Sequence, residues 1–224
     1  MQISPIQQNN TSFRNSVDLI NTIPGLNPIY TIKVSKQNTV AILGSSASSE
    51  PLEKYLKASS DITRHFIENG FDVVHGCGSQ GIMGVVYKPA QTHFIKDFQG
   101  KPVQNLAIVE PLYGDENLVD CSSIGKANSE AERITKFTKV ADNFVIFPGS
   151  ATTLQETTTL IQNNSYCKDG EVKKVILFDA GFWEGLVSQY KKLFDMKLLK
   201  ENPIGKLFHI ANSKEEVIKL ILRK

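Results

Sequence analysis

Cysteine is scarce in this sequence and poorly spaced for bonding. Cys77, Cys121 and Cys167 are far apart, odd in number and in no CxxC pair. That argues against a disulfide framework or a structural zinc site and makes a reducing cytoplasm the expected location. The four histidines (His65, His75, His93 and His209) show no HExxH or other ligand spacing, so no metal is called for. Charge of one sign is lacking as well. The net charge is +2, with both signs interspersed, which gives no electrostatic case for a nucleic-acid or membrane partner. No apolar run is long enough to cross a bilayer, and the N-terminus lacks the basic-then-apolar pattern of a signal peptide. What remains is 224 residues, 41% hydrophobic and 21% charged, a composition suited to one sizeable α/β domain.

Residues 1–36 are rich in Gln, Asn, Ser and Thr, with Pro24-Gly25 and Pro28 as breakers. They read as a poorly ordered leader with one short helix near Val17 to Ile23, or as a strand or helix packing on a partner subunit. Residues 37–224 read as the domain. Thr39–Leu43 is a β-branched strand running into Gly44-Ser45-Ser46. Ser48-Ser49-Glu50-Pro51 opens a helix that stops at Asn69-Gly70. Phe71–His75 is the next strand, and Gly76 to Gly84 leads into a helix reaching about residue 97. Leu106–Val109 is a strand, and a loop extends from Pro111 to about Ala127. A helix spans Ser129 to about Val140, then come the strand Asn143–Phe147 and a helix from Thr152 to about Ile161. Lys174–Phe178 is a strand and Asp179 starts a helix to about Leu199. Gly205 to Ile210 offers an edge strand and Ser213 opens a last helix. Alternating strands and helices predict a doubly wound parallel sheet with helices on both faces, with ligands at the carboxyl ends of the strands.

Three turns should gather at that edge: Gly44-Ser45, Gly76 to Gly84 and Pro148 to Glu156. In the third, a buried strand, a Pro-Gly turn and a helix start provide unpaired N–H groups and the positive end of a helix dipole. Gly149 admits a ligand close to the backbone, and Ser150, Thr152 and Thr153 add hydroxyls. Together the turns point to a small phosphorylated ligand, most simply a nucleotide. Gly76, Gly78 and Gly81 also spell G-x-G-x-x-G. However, that fingerprint normally follows the first strand, and the next acidic residue at a strand end, Glu110, is farther away than the roughly 20 residues expected. Other readings stay open. Thr153-Leu154-Gln155-Glu156 fits a capping box, Arg133 could be a solvated helix residue near Glu130, and Met83 could be core.

Gly76-Cys-Gly-Ser-Gln-Gly-Ile-Met-Gly84 resembles the GGGxxGLMG segment of the LONELY GUY family, long mislabelled as lysine decarboxylases. Pro148-Gly-Ser-Ala-Thr-Thr-Leu-Gln-Glu156 resembles its PGGxGTxxE signature, and Gly44-Ser45-Ser46, ahead of Pro51 and Tyr55, its first-strand turn. Arg133 stands where the family has its motif Arg. The resemblance covers about residues 38–200. It implies a Rossmann-like enzyme, a homodimer or higher homo-oligomer, that hydrolyses purine or cytokinin nucleoside 5′-monophosphates to free base and ribose 5-phosphate without a cofactor. Arg133 and Glu156 would be the catalytic pair. Gly44, Ser45, Gly78, Gly81, Met83, Gly149, Ser150, Ala151, Thr152 and Thr153 would hold substrate and phosphate. A non-catalytic nucleotide- or cofactor-binding protein on the same fold is the alternative. No lysine sits in a recognisable pyridoxal-phosphate context, which argues against decarboxylation.

In this chain Ser150 and Thr152 replace two glycines of the signature, Ile134 replaces the Lys after the motif Arg, and Cys77 replaces the second Gly of GGG. A Cβ restricts access to positive φ, so the phosphate turn is expected to be reshaped. A carboxylate near a helix N-terminus is expected to stay ionised. Glu156 is therefore expected to stabilise a ribosyl cation or orient water rather than donate a proton, with Arg133 positioning phosphate or ribose.

Overall fold

The computed structural model describes residues 16–20, 29–33, 36–47, 49–76, 78, 80–86, 105–109, 123–127, 129–168 and 171–223. Its strands are β1 (Ser16–Ile20), β2 (Ile29–Lys33), β3 (Thr39–Leu43), β4 (Asp72–His75), β5 (Asn105–Val109), β6 (Ser123–Lys126), β7 (Asn143–Ile146), β8 (Lys174–Phe178) and β9 (His209–Ala211). They form one sheet in the order β2-β1-β6-β5-β4-β3-β7-β8-β9. From β6 to β9 every pairing is parallel. The β1–β2 hairpin joins antiparallel through Ile20 and Ile124.

The apolar strands explain the two-faced core. Val40, Ile42, Val73, Val145, Phe147, Ile176 and Phe178 point to one face, and Ala41, Leu43, Val74, Phe144, Ile146, Val175 and Leu177 to the other. The first face is covered by α1 (Glu53–Glu68), α2 (helical over 81–86) and α6 (Lys214–Leu222), through Ile62, Phe66, Ile82, Val86, Val217 and Ile221. The second is covered by α3 (Glu130–Val140), α4 (Ala151–Tyr166) and α5 (Ala180–Asp195), through Phe137, Val140, Leu160, Ile161, Trp183 and Val187. This is the Rossmann-like, doubly wound arrangement, and burial on both faces is why its strands read as continuous apolar runs.

Local chemistry sets the helix ends. Ser129 accepts from the Glu132 N–H at 3.2 Å and Ser213 from the Glu216 N–H at 3.2 Å, which caps α3 and α6. Gly70, at φ +78°, ends α1. Pro51 lies in a 3-10 turn, Glu50–Leu52, that leads into α1.

Two expectations are corrected. Where the sequence suggests a short helix near 17–23, Ser16–Ile20 forms β1, which with β2 extends the sheet. The loop reaching Ala127 contains β6. The continuation of α2 towards residue 97, together with Cys77, His93, Glu110, the Gly114-Asp115-Glu116 stretch and Cys121, lies outside the described residues.

Candidate functional site

The three turns at the carboxyl edge interlock through their backbones. The Ser45 N–H donates to Pro148 O at 3.3 Å, and Ser45 O accepts from the Ile82 N–H at 2.9 Å. Ser45 Oγ folds back to accept from the Ala47 N–H at 3.0 Å, and its side chain is buried. Gly81 sits at φ +58°, where a Cβ would lie 2.6 Å from Ser45 O and 2.5 Å from Ala47 O. Only glycine satisfies both the conformation and the close approach. Gly44 lies against Ile82 and Phe147, and buried Gly78 lies against Met83.

The third turn keeps an open helix start. Ser150 is the N-cap of α4 but makes no side-chain capping bond. Ala151 is exposed and Thr152 half-buried, while Thr153 is buried under Gly149, where a Cβ would lie 2.2 Å from its Oγ1. Ser150 has φ −80° and Thr152 lies within the helix, so neither needs a glycine's conformation. The expected reshaping of this turn through positive φ therefore does not arise. The capping-box alternative also fails, because Thr153 is the third residue of α4 and Glu156 points to α3 instead.

Arg133 on α3 and Glu156 on α4 are brought together. Arg133 Nη1 lies 3.5 Å from Glu156 Oε1, and the side chains are 8% and 6% exposed, so the pair has lost most of its water. Gly76 makes room for it: a Cβ there would lie 2.1 Å from Arg133 Nη2 and 2.6 Å from Met83 Sδ. Met83 is thus partly buried beside the guanidinium rather than in the core. Arg133 also lies over the Phe137 ring, 5.6 Å from its centroid.

The carboxyl of Glu156 is not held ionised. Burial pushes it up to about 7, Arg133 opposes that shift, and the negative charge of Glu130 adds to it. The helix-dipole expectation fails because Glu156 is the sixth residue of α4, buried and beyond the first turn. Near neutral pH the group can both give and take a proton.

Sequence reasoning missed two contributors. Glu130 shares Arg133 Nη1 at 3.2 Å, where its i,i+3 spacing had suggested a surface pair. Gly76, read in the sequence only as the start of a glycine-rich turn, is the seat of the guanidinium. Among the described residues, no group of three or more His, Cys, Asp or Glu could hold a metal ion. Among those residues, too, no helix is long and apolar enough to cross a membrane.

A family described as possible lysine decarboxylase matches residues 83–221, more than half of the chain. No curated protein matches the sequence. Among solved structures, the chain is similar to the molybdenum cofactor binding protein from Rippkaea orientalis, at 20% identity and a TM-score of 0.55, over 82% of this chain and 94% of that one. It is also similar to the molybdenum cofactor carrier protein from Chlamydomonas reinhardtii, at 14% identity and a TM-score of 0.54, over 83% and 99%. A structural-genomics target gives 18% identity and a TM-score of 0.58, over 82% and 97%. At these identities the likeness is one of fold.

Proposed function

The chain belongs to the possible lysine decarboxylase family, and from that premise we propose that it hydrolyses the N-glycosidic bond of a purine or cytokinin nucleoside 5′-monophosphate. The observation that carries this reading is the buried Arg133–Glu156 contact beside the open start of α4. The 5′-phosphate takes the uncapped first turn of α4, with Gly149, Ser150 and Thr152 around it. Breaking the C1′–N bond leaves an electron pair on the base and positive charge on the ribose. Glu156, protonated near pH 7, gives its proton to the departing base. The carboxylate that results faces the ribosyl cation and takes a proton from the water that adds to C1′. The products are free base and ribose 5-phosphate, and Glu156 ends protonated as it began. Arg133 keeps its charge throughout and acts through that charge and its position.

Decarboxylation of lysine is not favoured by these residues. Lys173 Nζ is engaged by Asp142 and Ala141 O, and Lys174 Nζ by the backbone end of α6. Neither adjoins the Arg133–Glu156 pair.

The test is ribose 5-phosphate release from AMP, GMP, CMP and a cytokinin nucleotide by a homogeneous, folded preparation, with Glu156→Gln as control. Release that Glu156→Gln abolishes supports hydrolysis, and silence with all four nucleotides rejects it. A second reading is binding without turnover, favoured by solved structures of the same fold that carry the names of molybdenum cofactor binding and carrier proteins. It predicts that AMP or the molybdenum cofactor raises the melting temperature with no product formed. Light scattering tests the homodimer that accompanies either reading.

A further inference from the structure

Glu130 plays no part in the motifs that first marked the site, yet it holds Arg133 more closely than Glu156 does. One nitrogen, Nη1, serves both carboxylates, at 3.2 Å from Glu130 Oε1 and 3.5 Å from Glu156 Oε1. The other oxygen of Glu130, Oε2, is buried without a hydrogen-bond partner among the described residues. A single cation between two poorly hydrated carboxylates cannot neutralise both, so such a cluster retains a proton. Position decides which group keeps it. Glu130 is the first residue of α3, and its side chain is 17% exposed. Glu156 is the sixth residue of α4, with a side chain 6% exposed. Among the described residues, the charged groups that bear on Glu156 are Arg133 and Glu130, both from α3.

We propose that Glu130 is a positioning residue: by claiming Arg133 it leaves the shared proton on Glu156 and makes that residue an acid. The kinetic part of this proposal rests on the hydrolase reading above, but the proton itself can be observed without turnover. A charge-free Glu130 would release Arg133 Nη1 to Glu156, which would then ionise at lower pH. A purely structural Glu130 would leave that ionisation where it is.

The experiment follows the infrared carbonyl band of a buried protonated carboxyl across pH. The proteins are the wild type, Glu130→Gln, Glu130→Asp and Glu156→Gln, each verified as folded by circular dichroism, with Glu130→Ala standing in if Glu130→Gln does not fold. The wild-type band should titrate near 7 and vanish in Glu156→Gln. In Glu130→Gln its midpoint should fall by roughly one pH unit or more, and Glu130→Asp should restore it. An unchanged midpoint in Glu130→Gln, or a band that survives Glu156→Gln, overturns the proposal. In parallel, the high-pH limb of ribose 5-phosphate release should move with the band. If the band shifts as expected but the wild type releases no product, the role of Glu130 stands and the hydrolase reading falls.

Discussion

Two polar clusters occupy the carboxyl edge of one sheet and settle their charges in opposite ways. Beyond β8, Asp179 has every need met. It accepts from Tyr55 Oη at 2.5 Å, from the Gly181 N–H at 2.9 Å and from Lys54 Nζ at 3.3 Å. These bonds, the Tyr55 bond foremost, hold its carboxyl below the usual range. They also fix a non-glycine residue at φ +75°, a conformation that costs about 1–2 kcal/mol. Beyond β4 and β7, Glu156 shares the Arg133 cation with Glu130, and burial above all pushes it up to about 7. A satisfied cluster ties α1 to the start of α5. An underpaired, desolvated one retains a labile proton, which is what acid–base chemistry near neutral pH requires.

The widest separation between the clusters should appear on replacing Glu156. Glu156→Gln should lower ribose 5-phosphate release by about 10²–10⁴-fold, while the melting temperature holds or rises because a poorly compensated buried carboxyl is gone. An unaltered rate would place Glu156 with Asp179 as a structural group. Stability against pH should separate the clusters next. The folded value of Glu156 lies above its unfolded value, so its contribution is complete below pH 4.5 and is lost as pH rises through 7. The total is on the order of 3 kcal/mol. Asp179 is depressed, so its contribution is present above 3.8 and is lost as pH falls through its folded value. Urea unfolding from pH 4 to 8 should show a wild-type decline towards neutrality that Glu156→Gln removes. An equal decline in both proteins would mean that Glu156 is not the titrating group.

Asp179→Ala should act in the other direction. It strips the N-cap of α5 and leaves buried Tyr55 without its acceptor, a loss of about 1–3 kcal/mol in denaturant unfolding. Product release at temperatures where the variant stays folded should be unchanged. A collapse of activity in a folded Asp179→Ala would join the clusters into one site.

The difference between the clusters was only partly legible in the sequence. The parallel core could be read because β3, β7 and β8 are short apolar runs followed by turn residues, and burial on both faces demands that pattern. Hairpin β1–β2 was legible only as an open alternative, because its strands are five residues each within a Gln-, Asn- and Thr-rich stretch, and the partner of β1, β6, is the four-residue SIGK. Arg133 and Glu156 were found through motif spacing. The protonation of Glu156 was not, since it depends on how deeply α3 and α4 bury the pair and on Gly76 leaving space for the guanidinium. Spacing along a chain carries neither fact.

The smallest effects on stability should come from Ser150 and Thr152, the two positions that depart from the glycines of the signature. Ser150 is extended at φ −80° and makes no capping bond, and Thr152 is in the first turn of α4. Replacing the N-cap Ser with Gly costs only a few tenths of a kcal/mol, and Thr and Gly differ by a similar amount within a helix. Ser150→Gly/Thr152→Gly should therefore unfold within about 1 kcal/mol of the wild type. If one of the hydroxyls serves the phosphate, nucleotide affinity should drop by roughly 10–150-fold, the worth of a single hydrogen bond to a charged group at about 1.5–3 kcal/mol. If side chains there instead obstruct turnover, the double variant would gain ribose 5-phosphate release over a silent wild type. That gain would transfer the limiting feature of the site from the proton on Glu156 to the shape of the turn that precedes it.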